Sequence, residues 1–342
     1  MSQTDPSKHV ASMAAGRRRR TSPNDPPPPP RADRDGFDLI SQDPIHYDID
    51  LTQQFQFTDI RYRKSTHPDT LVAEIAFDRP HVLHAFRPTT IQQVQAALQD
   101  AIDDPNIAVI ILTSTSHAGT DPHNKDTDND ASSDQQATAS FCAGGDQTVR
   151  DNAGGYMDDS ETQPKLRVLD LQVQMRTCPK PIMAVVRGYA IGGGHILHMM
   201  CDLTLCSDNA IFGQTGPRMG SFDAGYGCIQ GARLVGQKKI REIWFLSKFY
   251  TAQEALSMGL VNAVFADDTL NGKVGQWVRR MCMNSPTALA ACKAACNAAD
   301  DGAHGILQMG HQLTRLYYIS KESQEGRDAF LEKRKPDFRS KL

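Results

Sequence analysis

The chain has 342 residues, 39% of them hydrophobic, and a mean hydropathy of −0.45, so its length allows two average domains but part of it cannot belong to a core. Its formal net charge is −3, which argues against the concentrated basic face that binds nucleic acid. No apolar run reaches the roughly 18–20 residues that span a bilayer, and no apolar signal core follows the N-terminal arginines, so we expect neither a membrane protein nor a secreted one.

Two polar segments account for the low hydropathy. Residues 1–36 combine seven Lys or Arg and four Asp with the proline run Pro26–Pro30, and we interpret the first 40 residues as a disordered basic, proline-rich tail. Residues 117–139 hold five Asp against one Lys and no large apolar side chain, which predicts a polar surface insertion. The remainder is one large domain, or a domain with a helical appendage.

Strand and helix patterns alternate along this remainder. A β-rich run at 71–77 precedes a segment at 88–104 with apolar residues at helical spacing, and the continuous apolar run at 107–113 is typical of a strand buried on both faces. Further strands are predicted at 182–186 and 202–206, and further helices at 165–177, 251–258, 286–299 and 303–330. This order predicts an α/β core over 57–270, which contains the insertion, and a helical region over 271–338.

Two glycine-rich turns follow predicted strands. One is GYAIGGGHILHMMCD at 188–202, and the other is FCAGGDQ at 141–147. Consecutive glycines cost chain entropy unless the backbone must approach another group closely or adopt strained angles. The amide N–H groups of two such turns can converge on one developing negative charge, although either turn alone is explained equally well as a tight strand-to-helix connection. Neither matches a nucleotide-binding glycine motif.

With the segments GQTGP at 213–217, SFD at 221–223 and EIW at 242–244, these turns resemble the crotonase superfamily, and within it the 1,4-dihydroxy-2-naphthoyl-CoA synthases. The resemblance runs from about Phe57 to Phe338 and is interrupted by the insertion. It implies a spiral ββα fold like that of ClpP, with a helical C-terminal region, and a hexamer built from two trimers. The implied reaction is the intramolecular Claisen ring closure of the aromatic thioester o-succinylbenzoyl-CoA, with loss of water, in naphthoquinone biosynthesis.

The resemblance also assigns the oxyanion hole, formed by the backbone N–H groups of Gly145 and Gly193. Hydratases of the superfamily carry two catalytic glutamates, and the matching positions here are Ile196 and Gly216. A standard enoyl-CoA hydratase is therefore disfavoured, because the carboxylate pair that adds water is missing.

The family chemistry needs a base, an enolate stabiliser and a proton donor. The resemblance implies bicarbonate as the base, bound by Gln214, Thr215, Gly216 and the indole of Trp244. It makes Asp223 an acid or base and lets Ser221 donate to a substrate oxygen. Tyr156 and Tyr318, or Tyr317 if the register differs by one, would hold the aromatic carboxylate and the keto group. From the residues alone, Trp244 is explained as a packing residue and Asp223 as a turn or cap residue.

The implied CoA and substrate contacts extend over both glycine turns. Two departures from the family pattern bear on CoA affinity: Leu83 stands at a frequent arginine position, and Thr148 replaces a basic residue. A third departure, Tyr226 in place of a tryptophan, keeps an aromatic wall. The contact residues are Val82, Leu83, Ala85, Ala143, Gly144, Asp146, Gln147, Tyr189, Ala190, Ile191, Gly192 and Lys333.

No metal is expected. His195 and His198 lie three residues apart on a predicted helix, but the sequence offers no third ligand and we interpret both as packing residues. The eight cysteines include no CxxC pair, which favours a reducing compartment without structural zinc. The last three residues, Ser340, Lys341 and Leu342, form a peroxisomal address, so a peroxisomal location and an import receptor as partner are expected.

Two alternatives remain at this point. One is another peroxisomal crotonase-fold enzyme, such as a hydratase, an isomerase or a cyclase of specialised metabolism acting on a different acyl-CoA. The other is a non-enzymatic member of the fold, involved in assembly or RNA association, in which Asp223 would be dispensable.

Overall fold

A computed structural model describes residues 36–115, 139–152, 155–165, 167–223 and 226–341. The predicted tail up to residue 35, the predicted insertion up to residue 138 and the terminal Leu342 lie outside these residues. The chain divides into two compact units, Met1–Ile40 and Ser41–Leu342. Of the first, the structure describes residues 36–40, which include a 3-10 turn at Phe37–Leu39.

A seven-stranded sheet forms the centre of the second unit, in the order β1-β2-β3-β4-β8-β10-β13. From β3 onward neighbouring strands are parallel, whereas β1 and β2 pair antiparallel at one edge. The strands of this sheet are β1 Ile49–Asp50, β2 Ile60–Ser65, β3 Val72–Phe77, β4 Val109–Ser114, β8 Ile182–Val186, β10 Leu203–Ser207 and β13 Ala263–Phe265.

Every residue of β3, β4 and β8 is buried. Alternate residues face opposite sides, so that Ile110 packs in one core cluster while Val109 and Ile111 pack in the other. A strand covered on both faces needs an uninterrupted apolar run. This confirms the two-sided burial predicted from residues 107–113.

The helices lie on both sides of this sheet and continue to the C-terminus. α1 packs Ile91 and Val94 into one core, and α7 packs Leu270 and Val274 into the other. The helices are α1 Pro88–Asp103, α2 Arg167–Thr177, α3 Gly193–Met200, α4 Tyr226–Val235, α5 Gln237–Leu246, α6 Ala252–Ser257, α7 Asp267–Cys282, α8 Pro286–Ala298, α9 Gly302–Tyr318 and α10 Lys321–Leu331. The predicted α/β core with a helical C-terminal region is confirmed.

The helix predicted at 303–330 is instead two helices, and in this detail the prediction is wrong. α9 ends at Tyr318 and α10 begins at Lys321. Between them Ser320 has an extended backbone, and its hydroxyl accepts from the Ser323 amide at 3.2 Å. Serine favours such a capping position because its side chain satisfies an amide that the new helix leaves unpaired. No helix in the described part of the chain has the length and apolar character needed to cross a membrane.

A second, four-stranded sheet positions the glycine turns. Its order is β12-β11-β9-β5, with β5 Ser140–Cys142, β9 Tyr189–Ile191, β11 Ile211–Gly213 and β12 Phe249–Thr251. The pairs β5–β9 and β9–β11 are parallel. The carboxyl ends of three adjacent parallel strands meet at one edge of a sheet, so the segments that follow β5, β9 and β11 are brought together.

Candidate active site

Three predicted site segments follow these three strands. Ala143–Gly145 comes after β5, Gly192 and Gly193 come after β9, and Gln214–Gly216 comes after β11. The sheet register therefore brings together sequence motifs that lie about twenty to seventy residues apart along the chain. The two glycine turns lie together, as predicted, because the strands that precede them pair in parallel.

The two glycine turns touch closely. Gly144 has a φ of +92°, and a methyl group on it would lie 3.0 Å from the Gly193 nitrogen and 3.1 Å from the Ile191 carbonyl oxygen. Gly192 also lies in the left-handed region, with a φ of +57°. At both positions a side chain would be strained, and at Gly144 it would also collide with the backbone of the other turn.

The backbone N–H of Gly145 points away from Phe86, the residue with which Gly145 pairs. Gly145 forms a parallel bridge with Phe86, in which Phe86 N donates to Gly144 O and Asp146 N donates to Phe86 O, both at 2.8 Å. In such a bridge the N–H of the central residue faces the opposite side. Gly193 is the first residue of α3, where a helix leaves its N–H groups without intrahelical acceptors. Two backbone donors at touching turns are the arrangement that stabilises an oxyanion.

The segment predicted to contact CoA runs beside the first turn. Ala143 N donates to Leu83 O at 3.1 Å. Leu83 and His84 both have positive φ values, 51° and 56°, a strained conformation for residues with side chains, which persists where the surroundings enforce it. His84 Nδ1 accepts from Arg79 N at 3.0 Å and fixes the bend. The other predicted contacts nearby are Val82 and Ala85 in the same bend, and Tyr189, Ala190 and Ile191 in β9.

A buried ion pair anchors the loop after Gly145. The Asp146 carboxylate lies 3.0 Å from Arg79 Nη2, and its other oxygen accepts from the Thr148 amide at 3.0 Å. Burial alone would raise the pKa of Asp146, but the hydrogen bonds from Thr148 and Arg79 outweigh it and hold the pKa below its usual range.

Replacing Asp146 with alanine should lower the free energy of unfolding by about 3 kcal/mol, because it leaves the Arg79 charge buried with only Asp59 at 3.5 Å. A carboxyl with a depressed folded pKa stabilises the protein above its unfolded pKa of about 3.9, and the stabilisation is lost as the pH falls through the folded value. Urea unfolding at pH 7 and pH 3.5 checks this. The loss should shrink at the lower pH, and the exposed Asp159→Ala should show no comparable loss at either pH.

Tyr156 lies directly against Gly145. It belongs to the short strand β7 Gly155–Tyr156, which pairs with β6 Arg150–Asp151. A methyl group on Gly145 would come within 2.5 Å of the Tyr156 hydroxyl oxygen. Gln147 Nε2 donates to this hydroxyl at 3.2 Å and to Gly145 O at 2.9 Å. A hydroxyl is therefore held beside one of the two amide donors.

The turn after β11 contacts the second glycine turn and Trp244. The buried Gln214 donates through Nε2 to Gly192 O at 3.0 Å. A methyl group on Gly216 would lie 2.8 Å from Ser221 O and 3.3 Å from Trp244 Cζ3. Trp244 on α5 is 7% exposed, and its indole nitrogen has no hydrogen-bond partner among the described residues. A buried donor without an acceptor is costly. The indole atom nearest Gly216 is Cζ3, which lies across the ring from this N–H. The neutral donors of Gln214, Thr215 and Trp244 are of a kind that suits a small anion such as bicarbonate.

The Asp223 carboxyl and the Ile196 side chain lie close together. A methyl group on Gly227 would lie 2.9 Å from Ile196 Cγ1 and 3.3 Å from Asp223 Cγ. The loop before α4 therefore brings a carboxyl to the helix that follows the second glycine turn.

Two polar residues of the site escaped the sequence analysis. Arg150 donates to the carbonyl oxygens of Met219 at 2.9 Å and Gly220 at 2.6 Å, and so ties the loop after Gly145 to the loop before Ser221. Gln172 on α2 donates to Asp223 Oδ2 at 3.0 Å. For Gln172 a signal existed: it is a polar residue between Leu171 and Met175 on the buried side of its helix.

Two predicted site residues lie apart from these turns. Tyr318 is 68% exposed at the end of α9, a helix that packs on α8 and α10. Lys333 is exposed beyond α10. Within the described residues no contact holds either side chain at the glycine turns. A cavity of about 610 Å³ opens beside Trp244, with mainly apolar side chains that include Phe222, Cys228, Ile229, Ile240 and Phe245, and no residue of the two glycine turns lines it.

His195 and His198 lie fully buried on α3. Their rings are joined by a hydrogen bond of 3.2 Å, and His198 also contacts Thr204 Oγ1 at 3.3 Å. Burial lowers the pKa of His195 to about 3, so it stays neutral. The described residues contain no group of three side chains suited to a metal ion.

Comparison with known proteins agrees with this geometry. Residues 134–341 match the family model described as enoyl-CoA hydratase/isomerase, which is more than half of the chain. Enoyl-CoA hydratase subunit I of Geobacillus kaustophilus HTA426 is 26% identical with a TM-score of 0.60, and the match covers 82% of this chain and 98% of that one. An enoyl-CoA hydratase of Bacillus anthracis is 26% identical with a TM-score of 0.59 and the same coverage.

The matched segment contains β5, β9 and β11 with the turns that follow them, and the predicted crotonase fold is confirmed. The matched segment contains both glycine turns, and the residues at positions 196 and 216 are not glutamates. With the family match over more than half of the chain and its fold shared over most of it, the protein belongs to the enoyl-CoA hydratase/isomerase family, the crotonase superfamily of enzymes.

Proposed function

We propose that this enzyme is a 1,4-dihydroxy-2-naphthoyl-CoA synthase, which closes the second ring of o-succinylbenzoyl-CoA. The observation that carries the proposal is the indole N–H of the buried Trp244, which has no hydrogen-bond partner among the described residues. Hydratases carry a carboxylate at the position of Gly216, whereas this site offers neutral donors that suit a small anionic base.

In this reaction a proton leaves the carbon next to the thioester, and the resulting enolate carbon attacks the carbon of the aromatic carboxyl group. The Gly145 and Gly193 amides stabilise the enolate oxygen. The carboxyl oxygen then leaves as one water, and two protons move from the ring carbons to the two ring carbonyl oxygens to give the aromatic diol. Asp223 exchanges protons with the forming ring, and the Tyr156 hydroxyl orients the reacting oxygens beside Gly145.

Bicarbonate, when bound, supplies the basic oxygen for the first proton removal. Gln214, Thr215 and the Trp244 indole would hold it, since their neutral N–H and O–H donors orient an anion without cancelling its basicity. The methyl contacts at Gly216 show how tightly this turn is packed against Ser221 and Trp244. A side chain at position 216 would displace one of them.

Substrate preference separates this proposal from a hydratase acting on another acyl-CoA. We expect kcat/KM for o-succinylbenzoyl-CoA, followed by the naphthoyl-CoA chromophore, to exceed that for crotonyl-CoA hydration. Faster turnover of crotonyl-CoA would favour the hydratase. The missing glutamates at Ile196 and Gly216 are the reason for expecting the opposite.

Trp244→Phe should weaken activation by bicarbonate about tenfold or more, because a hydrogen bond to a charged group is worth about 1.5–3 kcal/mol. The phenyl ring keeps most of the packing in α5. The chain has two tryptophans, so Trp277→Phe on α7 is a matched control that should leave the activation unchanged. Bicarbonate should also alter the fluorescence of the Trp277→Phe protein, in which Trp244 is the single emitter. Equal half-saturation for both variants would remove the indole from the anion site.

We also propose that the enzyme works as a homo-oligomer in which C-terminal helices of one copy cover the site of another. Large apolar side chains stand exposed along the last two helices, more than a solvated surface normally carries. Tyr318 would then reach a partner's site rather than its own. A sedimentation mass of a single chain would contradict this arrangement. The exposed side chains are Ile306, Leu307, Leu313, Leu316, Tyr318, Ile319, Phe330 and Leu331.

A further inference from the structure

Gln172 is an unusual residue for the interior of this protein. It is 1% exposed on α2, and its Nε2 donates to Asp223 Oδ2 at 3.0 Å across 51 positions of sequence. Its Oε1 is buried and has no hydrogen-bond partner among the described residues. A buried acceptor left without a donor costs about 1–3 kcal/mol, so an apolar residue of the same length would suit folding better. Such local costs are expected at functional sites.

Gln174, two residues further along the same helix, has a different role. Its Nε2 donates to the backbone oxygen of Gln95 at 3.1 Å, which joins α2 to α1. It likewise has a buried Oε1 without a partner among the described residues. The two glutamines therefore lie on the same helix, and each has a buried Oε1 without a partner among the described residues. They differ in the group that accepts from Nε2, which is the Asp223 carboxylate for Gln172 and a backbone oxygen of α1 for Gln174.

Apolar groups and a neutral thiol also lie beside Asp223. Ile196 and Gly227 present apolar surface to the carboxyl. From α4 the Cys228 thiol donates to the Asp223 backbone oxygen at 2.8 Å, and burial together with the Asp223 charge raises the pKa of that thiol, so it stays protonated. A neutral amide fixes one carboxylate oxygen without forming an ion pair, and so leaves the carboxyl able to gain and lose a proton.

We propose that Gln172 is a positioning residue, which holds Oδ2 of Asp223 and so fixes the orientation of this carboxyl during proton transfer. The role of Asp223 on which this rests comes from the proposed function. Gln172 touches no reacting atom itself. It acts through the Asp223 carboxyl, by fixing its orientation and by influencing its protonation.

Two pairs of matched variants test this proposal. Gln172→Met should lower kcat by about 10- to 100-fold, in the range that a displaced catalytic group costs, while KM and the unfolding temperature stay near wild type. Gln174→Met should leave kcat within a few-fold of wild type. A Gln172→Met protein with wild-type kcat, or one whose kcat loss is matched by Gln174→Met, would overturn the proposal.

Gln172→Glu tests the proposal through the pH dependence of kcat, which should stay the same if Gln172 only supports the fold. Two carboxyl groups at hydrogen-bond distance cannot both ionise readily, so the acid limb of the kcat profile should move to higher pH by about one unit or more. Gln174→Glu should not move it. The same shift should appear in the ¹³C titration of the Asp223 carboxyl, assigned by its loss in Asp223→Asn. This titration needs no turnover, so it tests Gln172 even if o-succinylbenzoyl-CoA is not the substrate. Equal titrations in the two Glu variants would contradict the proposal.

Discussion

Gly144→Ala is expected to lower kcat by about 10²–10³-fold, the effect of losing one oxyanion donor. The new methyl group would lie 3.0 Å from the Gly193 nitrogen, at the point where the two glycine turns meet. It would also have to adopt a φ of +92°, which a residue with a side chain avoids. The turns must separate to accept it, and the amides of Gly145 and Gly193 then no longer converge on one oxygen.

Gly236→Ala is the matched control for backbone strain. Gly236 has a φ of +81°, but a methyl group there meets no atom within 4 Å. Both variants should therefore lose some stability, whereas the large loss of kcat should be confined to Gly144→Ala. Single-turnover rates with thermal unfolding measure both effects. If the two alanine variants retained the same kcat, the contact between the turns would have no part in catalysis.

Asp223→Asn is expected to lower kcat by about 10²–10⁴-fold, the usual worth of general acid–base participation. Asparagine keeps the size of the side chain, and its carbonyl oxygen can still accept the hydrogen bond from Gln172. Binding of the acyl-CoA and the unfolding temperature should therefore survive. A residue that only caps the start of α4 would behave differently, because asparagine caps helices nearly as well as aspartate.

Steady-state rates and equilibrium binding of the thioester distinguish these two roles. The exposed Asp208→Asn, outside the site, should leave both unchanged and controls for the altered net charge. Turnover of Asp223→Asn within a few-fold of wild type would take Asp223 out of the mechanism. Proton transfer would then rest on Tyr156 or on the bound anion.

The long buried elements of the fold follow directly from the sequence. β4 and β8 are apolar without interruption because both of their faces are covered, and α1 repeats its apolar residues at helical spacing. β9, β11 and β12 have three residues each, too few for a periodic pattern to appear. Most of the sheet that holds the site therefore leaves no local signal, and it arises from pairing between segments that are distant along the chain.

The residues of the site also fall into two groups, those that a local sequence pattern marks and those that no local pattern marks. Glycines mark the two turns because their positive φ values and close contacts tolerate no side chain, as at Gly144. Arg150 and Gln172 act across 51 to 70 positions of sequence, so no local spacing shows what they bind. Tyr318 rests on the resemblance alone, because no local pattern marks it, and it lies exposed at the end of α9.

Ring closure measured with and without bicarbonate tests the central claim most directly. The enzyme would be mixed with o-succinylbenzoyl-CoA in buffer stripped of carbon dioxide, and the naphthoyl-CoA chromophore followed as bicarbonate is added. We predict slow turnover at first and a saturable rise with bicarbonate, weakened in Trp244→Phe and retained in Trp277→Phe. Turnover indifferent to bicarbonate, or no product from a thioester shown to bind, would contradict the account.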